Sequence, residues 1–284
     1  MKHILLILLV LIFYSCSEEV GITPDYVLSA EQKHNKFSSA IPPVIRVPSG
    51  SIIKVDTHEA SDGQLHRDAN IDDLKNIDFG PIHPLTGPVY VDEAEVGDIL
   101  AVDLLKIELH DYGWQAIVPG FGFLSERFPD AKLTVHKINT LERTATFNDK
   151  IKLELNPFPG VMGVAPETDE MLSTIPPREN GGNMDVQQMQ VGTRILFPCF
   201  IDGCGLFAGD IHYAQGDGEV AGTAIEMGAV TTLRVRKIHK GMGSNMDMPA
   251  TKGNDQIIDM EPTRYYQTVG IPLKGKSELS LIHI

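Results

Sequence analysis

The chain has 284 residues, 42% of them apolar, with 38 Asp and Glu against 24 Lys and Arg and a formal net charge of −14. That acid excess excludes a basic nucleic-acid-binding face and a polybasic patch for anionic lipid. It names no partner, because a solvated acidic surface is the ordinary outcome of such a composition.

The amino terminus reads as a leader. Lys2 and His3 precede an apolar run over 4–13, and Ser15-Cys16 follows. A ten-residue run is too short to span a bilayer, which takes about 20 residues in a helix. The pattern predicts a secretory signal, and Cys16 at the cleavage point resembles a lipoprotein lipobox, although Phe13-Tyr14 departs from the usual residues. The expectation is an exported protein, periplasmic or cell-surface, anchored to the membrane only through a lipid on Cys16. Residues 1–16 are then the signal, 17–40 a polar tether, 41–275 the domain, and 276–284 a truncated or non-native tail.

Strand signals dominate the domain. Alternation or β-branched enrichment predicts strands over 44–47, 51–57, 98–109, 133–138, 144–147, 151–155, 193–200, 205–209 and 219–238, with Gly, Pro, Asn and Asp between them. No apolar 3.6-residue period persists over three turns. Many short strands with Gly/Pro turns predict a mainly β sandwich or barrel. Residues 156–185, rich in Pro and Gly, are expected to form a long functional loop. Asp202-Gly203 predicts a two-residue hairpin turn. That register sets Cys199 and Cys204 about 7–8 Å apart on the diagonal, too far for a disulfide, so both are expected as small core residues.

The stretch GDIHYAQGDGE (209–219) gathers acids and a histidine among glycines. Side chains alternate along a strand, so Asp210 and His212 should share a face, and Asp217 and Glu219 another. Oxygen ligands with one imidazole suit zinc, with manganese or calcium as alternatives. An unbroken strand would put Glu226 on the face opposite Glu219, leaving it between a site role and a structural ion pair. Asn183 and Asp185 again share parity beside Gly181-Gly182. Glu59 ends an early strand after Asp56 and His58 and could turn inward. His83, in a stiff PIHPLTG segment (81–87), reads as structural or exposed. No G-x-S-x-G elbow is present, and both domain cysteines read as core, which leaves water as the nucleophile.

Four separated segments, HPLTGPVYVDEAEVGD (83–98), PGVMGVAPE (159–167), GGNMD (181–185) and 209–226, resemble the acetamidase/formamidase family and occur in its order. The resemblance implies a mainly β fold with sandwich-like and barrel-like parts and a small α+β portion. It also implies hydrolysis of the C–N bond of a short linear amide to carboxylate and ammonia. The expected roles are Asp210, His212 and Glu59 as metal ligands, Glu219 or Asp217 as proton acceptor, and Asn183 with Asp185 at the substrate. The partner is then a small amide, with a homodimer plausible at this size. An exported small-ligand-binding protein on the same scaffold is the alternative.

Overall fold

The computed structural model describes residues 21–148 and 150–239, together with the backbone of two further strands, Ala250–Gly253 and Tyr265–Thr268. Two large sheets carry the chain. The first has seven strands in the order Tyr26–Leu28, Ile52–Asp56, Ala229–Ile238, Ile99–Leu109, Arg194–Pro198, Ala250–Gly253, Tyr265–Thr268. The second runs Ile151–Glu154, Thr144–Phe147, Lys132–Asn139, Tyr112–Ile117, Glu226–Met227, Leu206–His212, Phe158–Val164, Gly181–Asn183. Leu85–Val91 also pairs with Leu206–His212 and carries Lys33–His34 and Ile45–Val47 on its other edge.

The sheets face each other across one core. Ile53, Val55, Leu100, Val102, Leu104, Leu233 and Val235 from the first meet Val89, Val91, Met162, Val164, Leu206 and Ala208 from the second. Each such side chain contributes about 1.5–3 kcal/mol by leaving water. In Ile52–Asp56 burial alternates residue by residue, as a strand with one core face requires. Helix is nearly absent among the described residues: the one α-helix is Ile71–Lys75, where Asn70 and Asp73 form a capping box. Mainly β architecture is therefore correct, and the small α part is smaller than expected.

Four expectations need correction. Residues 21–40 are not a tether: Tyr26–Leu28 pairs in parallel with Ile52–Asp56, and Leu28 and Phe37 are fully buried. Two well-placed apolar side chains dock this polar segment because an open sheet edge supplies its backbone partners. The leader, Cys16, residues 17–20 and the tail 276–284 lie outside the described residues.

The expected long loop contains Phe158–Val164, a strand buried at all seven positions and paired on both edges. A strand covered on both faces has no alternation to detect, and its Pro159, Gly160 and Gly163 mimic a loop. Cys199 and Cys204 are disulfide-bonded, with Cα atoms 4.6 Å apart. Gly203, Cys204 and Gly205 all take positive φ, so the chain coils back and the expected hairpin register never forms. Finally, 219–238 is not one strand. A 3₁₀ turn at Asp217–Glu219 and a turn through Gly222 precede Glu226–Met227 and Ala229–Ile238.

Candidate active site

The second sheet gathers four carboxyls and two imidazoles around its interior strand Leu206–His212. Leu206–His212 is buried at every position and supplies Asp210 and His212. His212 Nε2 lies 3.3 Å from Asp210 Oδ2, 3.2 Å from Glu226 Oε2 and 3.8 Å from Asp185 Oδ1. His83 Nε2 adds a second imidazole 3.8 Å from Asp210 Oδ2. Asp185, Asp210 and His212, and likewise His212, Glu219 and Glu226, each present ligand atoms lying within 4.8 Å of one another.

Local backbone explains how these groups meet. Glu226 sits directly across from His212 in the antiparallel pair of strands, so their side chains share a face. Asp185, Asp210 and Glu219 all have φ between 43° and 50°, a left-handed conformation that non-glycine residues seldom adopt outside constrained sites. Two glycines make room. A Cβ on Gly209 would stand 2.5 Å from the Pro84 carbonyl, so only glycine lets the 81–84 segment bring His83 alongside. A Cβ on Gly160 would stand 2.5 Å from His212 Nε2 and 3.0 Å from Asp185 Oδ1, inside the cluster itself.

The electrostatics follow from burial against mutual charge. Burial pushes Asp210 up, but the charges of His83 and His212 and the hydrogen bond from His212 outweigh it and hold its carboxyl below the usual range. Burial pushes the His212 imidazole down, yet Glu226 and Asp210 raise it well above its ordinary value. Glu219 is raised to about 10 by burial and then by the charge of Asp185. Glu226 is raised to about 8, chiefly by burial, with His212 opposing. Asp185 is raised by burial, with His212 opposing.

Despite this crowding, Asp185 Oδ1, Asp210 Oδ1, Glu226 Oε2 and His83 Nδ1 are buried with no hydrogen-bond partner. Buried polar atoms in native proteins are nearly always paired. Several orphaned oxygens around one imidazole fit a divalent cation as the missing partner, and the mixed carboxylate and imidazole donors suit zinc or manganese better than calcium.

Measured against the sequence expectations, Asp210, His212, Asp185 and Glu219 converge. Asp217 does not: it is exposed and accepts a hydrogen bond from Gln187 Nε2 at 2.8 Å, because the 3₁₀ turn breaks the parity that would have paired it with Glu219. Glu59 does not either. It is buried elsewhere, its oxygens accepting from the Ser61 amide and hydroxyl, the Gly63 amide and the Trp114 indole, so it has no free donor pair for a metal. Asn183 Nδ2 donates to the Ile175 carbonyl at 3.0 Å while its buried Oδ1 has no partner. Its open atom is thus an acceptor, which an oxyanion cannot use. Glu226 and His83 are the members that sequence reasoning undervalued. The turn at Glu219–Gly222 rotated Glu226 into the pocket, and His83 carried no signal beyond its stiff PIHPLTG setting.

Comparison with known proteins adds an independent line. The Acetamidase/Formamidase family profile matches residues 22–173 and 167–282. An acetamidase of Mycolicibacterium smegmatis is 29% identical over 270 residues, covering 74% of this chain, and a formamidase of Methylophilus methylotrophus is 26% identical over 265. The chain spans 66% and 65% of the lengths of these two relatives. Among solved structures, a protein described as a predicted acetamidase/formamidase of Thermoanaerobacter tengcongensis superposes with a TM-score of 0.75 at 34% identity, covering 80% of this chain and 73% of its own. A gamma lactamase of Delftia acidovorans superposes with a TM-score of 0.74 at 29% identity, covering 78% of this chain and 68% of its own. A profile matching nearly the whole described chain, on a two-sheet β fold shared with these enzymes, makes this protein a member of the acetamidase/formamidase family.

Proposed function

We propose that the pocket around His212 hydrolyses the C–N bond of short amides, releasing ammonia and a carboxylate. The single observation that carries the reading is the set of buried carboxylate oxygens without a hydrogen-bond partner, Asp185 Oδ1, Asp210 Oδ1 and Glu226 Oε2, on the three acids that surround His212 Nε2. The relatives act, by their names, on acetamide, formamide and a lactam, which share an amide C–N bond.

Asp185, Asp210 and His212 would hold a divalent cation, zinc by donor chemistry, with manganese as the alternative. A cation held there would polarise the amide carbonyl and acidify a water. The chain's own residues handle the protons. Glu219, kept protonated near neutral pH by burial and the Asp185 charge, is suited to donate to the departing nitrogen, which leaves as ammonia only once protonated. Glu226 Oε2, 3.2 Å from His212 Nε2, would accept the proton of the attacking water once the charge of a bound cation lowers its pKa from about 8 and leaves it ionised. Asn183 Oδ1 can accept from the substrate amide N–H, orienting its nitrogen towards Glu219. Asp217 and Glu59 take no part in this scheme.

An ammonia-release assay on formamide and acetamide, with and without chelator, tests it, with ring opening of a γ-lactam to its amino acid followed alongside. Ammonia release that chelator stops and zinc restores supports the reading; ligand binding with no ammonia from either amide and no ring opening of the lactam would overturn it. The leader supports export with a lipid on Cys16, and mass spectrometry of the mature amino terminus checks that: an unmodified first residue other than Cys16 removes it. Among the described residues no helix is long and apolar enough to cross a membrane.

A further inference from the structure

We infer that Gln215 is a positioning residue for the metal site, fixing which nitrogen of His212 faces the cation and holding the backbone of Asp185 in place. The inference rests on the metal reading above and extends it to a side chain outside the ligand set. Gln215 Nε2 donates to the Asp185 carbonyl at 2.8 Å, and Gln215 Oε1 lies 2.7 Å from His212 Nδ1.

The amide can take only one orientation. Turning it over would set two oxygens, the carboxamide oxygen and the Asp185 carbonyl, against each other at hydrogen-bond distance, so the carboxamide oxygen must face the imidazole. An oxygen accepts only, hence His212 Nδ1 carries hydrogen and donates. That leaves Nε2 as the atom turned towards Asp210, Glu226 and Asp185. A ligating histidine needs its second nitrogen held in this way, both to set the tautomer and to fix the ring.

The same side chain reaches a second ligand. Asp185 sits at φ 50°, and two further bonds hold its neighbourhood: its own amide and that of Met184 both donate to the Gly160 carbonyl. Gln215 therefore ties the turn after Leu206–His212 to the segment after Gly181–Asn183, which are far apart in sequence. One carboxamide thereby sets the separation of two candidate ligands that no single strand connects.

Zinc titration of the metal-free full chain, by competition with a chromogenic chelator, tests this together with 15N-edited spectra of the histidine ring protons in the zinc-loaded protein. Wild type should bind zinc and show a His212 Nδ1–H protected from solvent. Gln215→Leu should bind about 10–100-fold more weakly and lose that protected proton. Gln215→Asn, equally polar but one methylene too short to span both partners, should show the same two losses and serves if the leucine variant does not fold. Gln215→Glu keeps an acceptor for Nδ1–H, so it should retain the protected proton. Wild-type zinc affinity with a protected Nδ1–H in the leucine or asparagine variant overturns the inference alone. A wild-type protein that takes up no zinc overturns both it and the metal reading.

Discussion

Two regions of this molecule bury carboxylates, and they treat them in opposite ways. Glu59 is surrounded by donors: the Ser61 amide at 2.8 Å, the Ser61 hydroxyl at 2.6 Å, the Trp114 indole at 2.7 Å and the Gly63 amide. Burial still raises it, but every listener around it is a donor that favours the charged form. In the His212 pocket, Asp185, Asp210 and Glu226 each keep a buried oxygen with no hydrogen-bond partner, and one imidazole is, among the described residues, the only basic group set against all three acids. The first arrangement is complete, and so structural: it ties the 59–65 turn to Tyr112–Ile117. The second is incomplete without a cation, a substrate or protons, and incompleteness maintained by strained backbone marks a site rather than a scaffold.

The largest effect that could break this contrast comes from Gly160. A Cβ there would occupy the space beside His212 Nε2, so Gly160→Ala should lower ammonia release by about 10³-fold or more, in the range lost with a reacting group. The fold should survive, because the added methyl meets the far ends of two side chains. Full activity in this variant would show that the cluster is not where chemistry occurs.

Stability should divide the two regions next. Glu59→Ala strands the Trp114 and Gly63 donors and should cost about 3 kcal/mol in chemical denaturation, at about 1–3 kcal/mol for each buried donor left unpaired. Glu219→Gln should do the reverse in the metal-free protein at pH 7. The raised pKa of Glu219 means the folded state holds a proton that the unfolded state has released, so folding is penalised increasingly above the unfolded value near 4.5. Removing that group should raise stability. Equal losses in both variants would erase the distinction.

A smaller effect is expected from the Cys199–Cys204 disulfide, which closes a short loop at the foot of the strand bearing Asp210. Replacing both cysteines by Ala should cost about 2 kcal/mol, the chain-entropy value for a loop of this length. No measurable loss in thermal denaturation would mean the link contributes nothing beyond the surrounding backbone bonds.

The smallest effect lies far from the pocket, at Asp103. Burial raises its pKa, but hydrogen bonds and charges from Arg194 and Arg236 outweigh that and lower it below 3.8. A carboxyl depressed in the folded state contributes stability above its unfolded pKa and loses it as pH falls through the folded one. Asp103→Asn should therefore cost about 1 kcal/mol at pH 7, a value kept low by partial exposure of both arginines. The gap from wild type should close below about pH 4. A gap that persists in acid would rule out the ion pair as its source.

Much of this protein was legible before any coordinates. Ile52–Asp56 announces itself by alternation and lies within the expected 51–57, and Thr144–Phe147 has the expected bounds. Asp210 and His212 were read from two-residue spacing, and they do touch at 3.3 Å. Parity failed where the backbone left the extended state. Asp217 swung out to Gln187 and Glu226 swung in, both because of turns at Glu219 and Gly222 that no period reveals.

By itself, then, the order of residues determined a mainly β chain, an acidic surface, and a glycine-rich segment where carboxylates and an imidazole gather. These are local properties, set by side-chain alternation and turn chemistry within a few residues. Which carboxyls finish in the pocket, which one is walled off by donors at Glu59, and that the cysteines bond were decided only in three dimensions. Each depends on left-handed residues and on glycines whose missing Cβ lets distant segments approach, and close approach is a property of the packed fold rather than of any stretch of sequence.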